Sequence, residues 1–266
     1  MVKGLYTAHT GMINEMNRLD IITNNLANAD TTAYKKEGTT SRTFADELAI
    51  KIKDTSANGK AKEIGGMSLV THLGQVYTDY SSGSFKVTDV ETDFALDGQG
   101  FFAVAFTDKE GNVSVKYTRD GNFIVNSQGY LVTKDGNHVL NATGALNGDP
   151  SEANFVRLET LTDATVDEAG FIYQNNQLVG TIGVADINDY DYIEKYGENL
   201  YNFLEGGTVI ASEARVHQGM LETSNVNVVN EMVNMITIQR AYEAGQKVIT
   251  SIDSTLGLAV NLGKVK

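Results

Sequence analysis

Cysteine is absent from this chain, so neither disulfides nor thiolate metal sites can contribute to it. Tryptophan is absent as well, and proline occurs once, at Pro150, which is very little for a secreted β protein. No apolar run reaches the roughly 18 residues that a membrane-spanning helix needs. The first residues carry Lys3 but then turn amphipathic, with Glu15 and Asp20 inside the pattern. They lack the uninterrupted apolar stretch of a cleavable signal peptide, so any export would have to read something else. The histidines, His9, His72, His138 and His217, stand apart in sequence and form no helical pair, so no metal site is expected.

Charge is unevenly placed. Residues 1–53 hold seven Lys/Arg and six Asp/Glu, and residues 225–266 hold four and three. The remaining ten basic and 25 acidic residues give the middle of the chain −15 of the total −13. An acidic body excludes nucleic acid as a partner, because phosphate binding needs clustered Lys and Arg. Near-neutral ends on an acidic body suit a particle that packs through its ends and keeps its flanks apart.

The two ends share a second property. In the first, Leu5, Met12, Leu19 and Leu26 recur every seven residues, and Ala8 and Ile22 fill alternate seam positions. Glu15 interrupts that seam, with Met16 beside it. At the other end Val228, Met235, Tyr242, Ile249 and Leu256 form one row, while Ile238, Gly245, Ile252 and Ala259 form most of another. Both patterns predict coiled-coil helices. Ser224-Asn225 is the expected N-cap of the second helix. Gly245 costs about 1 kcal/mol of helix propensity relative to alanine, and its seam position predicts close approach of another backbone. Val229, Val233 and Ile236 mark a second apolar face on the same helix, which one partner helix cannot satisfy. With no partner for that second face evident within one chain, both terminal helices are expected to be poorly ordered in the monomer and to order on assembly, an ordinary internal helical hairpin being the alternative.

Between the helices, Phe44 to Ile52 could continue a helix, and Ser56 to Gly66 reads as a loop or mobile hairpin. From Leu69 to about Val209, turn signals come quickly: Ser82-Gly83, Asp97-Gly98, Glu110-Gly111, Asp120-Gly121, Gln128-Gly129, Asp135-Gly136 and Asn147-Gly148. Short apolar runs between such pairs predict antiparallel hairpins. Residues of roughly 69–221 are expected to fold without the termini and to bury Phe85, Phe94, Phe101, Phe102 and Phe123.

Signals for chemistry are weak. Gly98-Gln99-Gly100-Phe101-Phe102-Ala103 matches a dinucleotide fingerprint ending in alanine, but that site needs a helix to follow and the run to Phe106 reads as a strand. A tight turn that sends both aromatics into the core is the better reading. Asp186-Ile187-Asn188-Asp189-Tyr190-Asp191 gathers oxygen ligands without the glycine and terminal glutamate of a calcium loop. Asn141-Ala142-Thr143 is a formal glycosylation sequon. No spacing nominates a catalytic carboxylate pair.

Several motifs together resemble the flagellar basal-body rod and hook axial proteins. Asn25-Leu26-Ala27-Asn28 with Thr31, Tyr34 and Lys35 is similar to their N-terminal signature. The likeness continues through Gly98, Gly100, Phe101 and Phe102, then Tyr117 to Phe123 and Gly129 to Thr133. It ends with Gln218-Gly219, Leu221-Glu222, Ser224-Asn225-Val226, Glu231-Met232-Val233 and Gln239-Arg240-Ala241-Tyr242-Glu243. Ala33 stands where the family commonly has glycine, which predicts a less sharp bend after the first helix. Asn227 replaces a usual aspartate, leaving similar but uncharged cap chemistry, and Asn147 to Pro150 lacks the family's proline-flanked pattern.

The resemblance implies terminal helices paired as the inner coiled-coil layer of a tubular polymer, with the β domain outside. It also implies export through the flagellar type III apparatus without a cleavable signal peptide. The expected fold is α+β, with terminal coiled-coil helices at 1–30 and 225–266, a linker or extended hairpin at 31–68, and a central antiparallel β domain at 69–224. The expected function is a non-enzymatic subunit of the basal-body rod that transmits torque toward the hook, without cofactor or metal. Its expected partners are copies of itself, other rod and hook proteins, and the export apparatus, with neither nucleic acid nor membrane insertion. A short hook subunit is the alternative within the class. A cell-wall hydrolase tethered by helical ends is the alternative outside it.

Overall fold

The computed structural model describes residues 2–43, 47–51, 62–67, 71–158, 164–197, 199–204 and 206–264. Two long helices, α1 (Val2–Ala27) and the C-terminal Val228–Lys264, bracket a chain of short antiparallel strands, so the class is α+β. The chain divides into two compact units: Met1–Ala27, Lys36–Asp79 and Asn227–Lys266 form one, Asn28–Lys35 and Tyr80–Val226 the other.

In the first unit the terminal helices pack on each other, and α1 also packs on a two-stranded ribbon of Glu37–Thr43 and Thr71–Thr78. Two side chains on α1 fix that ribbon. Asn25 is fully buried, accepting from the Glu37 amide at 3.0 Å and donating to its carbonyl at 2.8 Å, as a neighbouring strand would. Asn14 donates to Ser41 Oγ at 3.2 Å. A second ribbon pairs Glu47–Lys51 with Lys62–Met67. Two expectations change here. Within the stretch read as a continuing helix, Glu47–Lys51 is a strand, while Phe44 to Asp46 and Ile52 lie outside the described residues. Thr71–Thr78, read as part of the central β domain, pairs inside the helical unit.

The second unit is built around Phe101–Thr107, which is flanked in one sheet by Val113–Thr118 and, on its other side, by His138–Val139 and Val184–Ile187. Side chains alternate across a strand, and both faces of this one are buried. Phe102 and Val104 join Phe94, Leu96, Phe123 and Leu131 in one cluster. Phe101, Ala103 and Ala105 join Tyr117, Leu140 and Tyr201 in another. The Gly98-Gln99-Gly100 segment is thus a turn into a doubly buried strand, with φ of 124° at Gly98 and 140° at Gly100. Of the five phenylalanines expected inside, four are; Phe85 lies on the short ribbon Phe85–Val87 and is exposed.

Not all the turn pairs close hairpins. Glu110-Gly111, Gln128-Gly129 and Asp135-Gly136 each join strands paired with each other. Asn147-Gly148 instead ends a short helix, α2 (Ala142–Asn147), with Gly148 left-handed at φ 65°. Asn141, the sequon residue, caps α2 by accepting from the Gly144 amide at 2.8 Å. The C-terminal helix Val228–Lys264 is therefore α3.

The body also buries charge. Glu222, 1% exposed, takes Lys35 Nζ at 2.7 Å and the Gly83 amide at 2.9 Å on Oε1. Arg119 Nη1 stands 3.6 Å from its other oxygen. Gly83 must be glycine, since a Cβ there would fall 1.9 Å from the Thr223 carbonyl oxygen. Ala33, placed by the resemblance at a glycine position, takes the left-handed conformation itself at φ 56°, so the bend is as sharp as glycine would make it. Its amide donates to the Glu222 carbonyl at 2.9 Å, and it is buried, so packing offsets the strain.

Burial sets one pH response. Tyr117 stacks on Phe203 at 3.8 Å between ring centroids, donates to the Ala145 carbonyl at 3.2 Å, and burial pushes its hydroxyl up to about 12. An unfolded tyrosine releases its proton near pH 10, so unfolding is increasingly favoured as pH rises from about 10 toward about 12. Tyr117→Phe is expected to cost about 1 kcal/mol at neutral pH through the lost hydrogen bond. Denaturant titrations at stepped pH should then show a shallower alkaline loss of stability in Tyr117→Phe than in the parent.

Candidate polymer interface

The heptad rows converge on one seam. Gly4 faces Ile252, and Gly245 faces Met12 and the Ala8 carbonyl, so α1 and α3 run antiparallel within a single chain. Leu5, Met12, Leu19, Ile22 and Leu26 on α1 are half-buried, as are Met235, Gly245, Ile249 and Ile252 on α3, and Ile238 is fully buried. The helices therefore have partners before any assembly, contrary to the expectation that they would be poorly ordered in the monomer. Gly245 does permit close approach, but what approaches is Met12 of the same chain: a Cβ there would meet Met12 Cγ at 2.7 Å.

Charged residues inside the seam carry information that the apolar rows miss. Glu231 completes the row of Ile238, Gly245 and Ile252, lies 1% exposed, and pairs with Lys36 Nζ at 2.5 Å. Glu15, the interruption in α1, stays half-buried against Arg18 Nη1 at 3.0 Å. In sequence the family motif and the heptad phase both mark Glu231, but neither tells that the charge is buried, since a charge is ordinarily read as solvated. The cap of α3 also moves. Asn227 Oδ1 accepts from the Asn230 amide at 3.0 Å, whereas Ser224 holds the Val226 amide and Asn225 donates to Ser81.

The second face of α3 is exposed. Val229 is 68% and Val233 57% accessible, with Ile236 beside them. Met232, named above only within a family motif, completes the i, i+3, i+4, i+7 spacing of that stripe and is exposed with it. Tyr242 and Leu256 are exposed despite lying in a heptad row, as are Leu258, Val260 and Leu262 beyond them.

The family motifs separate into two kinds. Asn25, Tyr34 and Lys35 are buried, and Leu26, Asn28, Thr31, Ser224, Asn225 and Val226 are half-buried. Asn28 Oδ1 accepts from Thr31 Oγ1 at 3.1 Å, and Lys195 Nζ lies 4.4 Å over the Tyr34 ring. These residues hold the fold. Gln239, Arg240, Ala241 and Tyr242, by contrast, stand exposed on α3, and Ala27 is exposed at the end of α1.

The hydrolase alternative needs a carboxylate pair in a cleft, and Asp89 with Glu91 lines one of about 360 Å³. Asp120 and Asp135 line a cleft of about 330 Å³ with Thr118, Asn122 and Asn137. Burial pushes the Asp120 carboxyl up, but the group is engaged by the Asn122 amide and the Thr32 and Asn199 side chains, which shapes its own loop. Among the described residues no group of three or more His, Asp or Glu side chains is placed to hold a metal ion. No described helix is long and apolar enough to cross a membrane.

Three stretches match known families. Residues 5–35 match the flagella basal body rod protein family, 95–174 the D1 domain of the flagellar hook protein FlgE/F/G family, and 217–262 the C-terminal region of the flagellar basal body rod FlgEFG proteins. The basal-body rod protein FlgG of Bacillus subtilis is 33% identical, over 98% of this chain and 99% of that protein. The rod protein FlgF of Caulobacter vibrioides is 34% identical over the full length of both. The chain belongs to the flagellar basal-body rod protein family. It is a structural subunit of the basal body, and its family is one of axial proteins that assemble with one another. The hook-basal body complex protein FlhO of Bacillus subtilis, 28% identical over both full lengths, is a further relative.

The seam geometry fixes the outcome of changing Gly245. Gly245→Leu is expected to push α1 from α3 and cost about 1–3 kcal/mol, as overpacked cores do. Gly245→Ala should cost less, because the atom in the way is on the flexible side chain of Met12. Urea unfolding of both variants measures this; equal stability of parent and Gly245→Leu would remove Gly245 from the seam.

Proposed function

We propose that this rod subunit polymerises through its terminal helices, using the intrachain α1–α3 pair as a preformed building block and the second face of α3 as the surface that takes neighbouring subunits. The observation that carries this reading is the stripe of Val229, Met232, Val233 and Ile236, exposed on a helix whose other face is already filled. Burying such side chains gains roughly 1.5–3 kcal/mol each, so one stripe contributes several kcal/mol per subunit to assembly. Tyr242 and Leu256, with the rest of the Gln239 to Tyr242 motif, extend the polymer surface along α3. Near-neutral charge at both ends lets many copies converge, which the acidic body would oppose.

On this reading the protein is not an enzyme. It passes torque from motor to hook as one link in an axial polymer, with copies of itself and other rod and hook proteins as neighbours. It reaches its place through the flagellar export apparatus, without a cleavable signal peptide.

Val233→Asp tests the stripe. Its side chain is exposed in the monomer, so the variant should unfold within about 0.5 kcal/mol of the parent, as surface substitutions do. The same change should abolish rod assembly and swimming when it replaces the parent in a motile cell. Normal rods built from Val233→Asp would show that the stripe is not a polymer contact.

A further inference from the structure

The body contains a cation that its own fold does not satisfy. Arg119 is 2% exposed, and among the described residues neither its Nε nor its Nη1 has a hydrogen-bond partner. Nη2 donates to the Gly98 carbonyl at 2.8 Å, and the guanidinium carbon sits 5.3 Å from the Phe101 ring centroid. Its nearest carboxylate, Glu222, already serves Lys35 Nζ and the Gly83 amide through Oε1, and its Oε2 remains 3.6 Å away without a hydrogen bond. Two buried cations therefore share one carboxylate. The arrangement is costly in a low-dielectric interior unless another anion approaches.

Arg119 also lines a cleft of about 420 Å³ whose wall includes Tyr80, Ser82, Gly98, Gln99 and Tyr190. Among the described residues no other cation lines it. Two acids stand nearby: Asp97 on the rim, with His217 Nε2 at 3.8 Å, and the buried Asp186, which accepts from the Tyr190 hydroxyl at 3.0 Å. With the Tyr190 hydroxyl committed to Asp186, Ser82 and Gln99 are the polar side chains left beside the buried guanidinium, the chemistry that receives a carboxylate.

We infer that this cleft is a docking site for an aspartate or glutamate side chain of a second copy of the chain. The occupant follows from charge. The middle of each copy carries 25 acidic against ten basic residues, so a neighbouring body presents carboxylates at close range. Such a contact turns part of the mutual repulsion of two acidic bodies into a specific bond, fixing their register where the helical stripe gives only cohesion.

The inference rests on the polymer reading, but its chemistry is separable from it. The full-length protein is titrated with sodium acetate against sodium chloride at constant ionic strength, following the Arg119 Nε–H resonance, assigned by its loss in Arg119→Lys. A saturable shift with acetate and none with chloride is expected. In Ser82→Glu, where the carboxylate is supplied from the rim, the resonance should start displaced and respond to acetate at least tenfold less. Identical behaviour of the two salts, or an unchanged titration in Ser82→Glu, would overturn the site. A photo-crosslinking residue at position 82 then reports the source inside assembled rods. Capture of an acidic segment of a second copy supports the assignment; capture of another axial protein alone, or of nothing, overturns it. Loss of assembly in Val233→Asp with a normal acetate response would separate the two readings, since it leaves the cleft intact.

Discussion

The Glu222 carboxylate is the point on which the body closes. A buried carboxylate is tolerable only when donors surround it, and here Lys35 just after the first helix and Gly83 on the approach to the sheet donate to it, while Arg119 beyond the central hairpin stands 3.6 Å off as a charge without a hydrogen bond. The demand propagates outward. Gly83 has no side chain because the chain passes against Thr223, and Ala33 accepts a left-handed backbone so that its amide can reach the carbonyl of the same glutamate. Lys35 also donates to the Ser81 carbonyl at 2.8 Å, tying the segment before Gly83 into the same knot. Removing one partner from such a cluster typically costs about 3–5 kcal/mol, more than any single apolar contact in the sheet.

The helical unit follows a different economy of contacts. One face of α3 is closed by α1 and the other is left exposed, so the single chain is folded yet carries an apolar stripe. Asn25 and Asn14 hold the ribbon to α1 through hydrogen bonds, while Lys36 and Glu231 tie the ribbon's start to the first turn of α3. Polar clasps of this kind fix orientation, which purely apolar seams leave loose.

What could be read from the residues follows from the range of each interaction. Heptad rows are local, so both helices and the second apolar face at Val229, Val233 and Ile236 were legible. Asp-Gly and Gln-Gly turns were legible where they close a hairpin. They were not where a crossover or a cap uses the same chemistry, as at Asn147-Gly148. Glu47–Lys51 read as helix because its five residues alternate too briefly to separate the two periods, and the partner that decides the matter lies at Lys62–Met67. Glu231 and Arg119 were the least legible. Their roles depend on burial by residues far away in sequence, and nothing nearby distinguishes a buried charge from a solvated one. Ala33 shows the converse: the motif pointed to a special backbone position, but the residue type argued against the conformation that tertiary contacts impose.

The long-range clasp at Glu222 also orders events in time. Lys35 and its carboxylate are 187 positions apart, and such non-local pairings are slow to form because the intervening chain must first be brought together. A chain that emerges from its N-terminal end has its central strands and turns available early, yet the body cannot seal until residue 222 is present. Until then Lys35 lacks its Glu222 carboxylate. Closure of that clasp therefore waits for the segment that leads directly into α3.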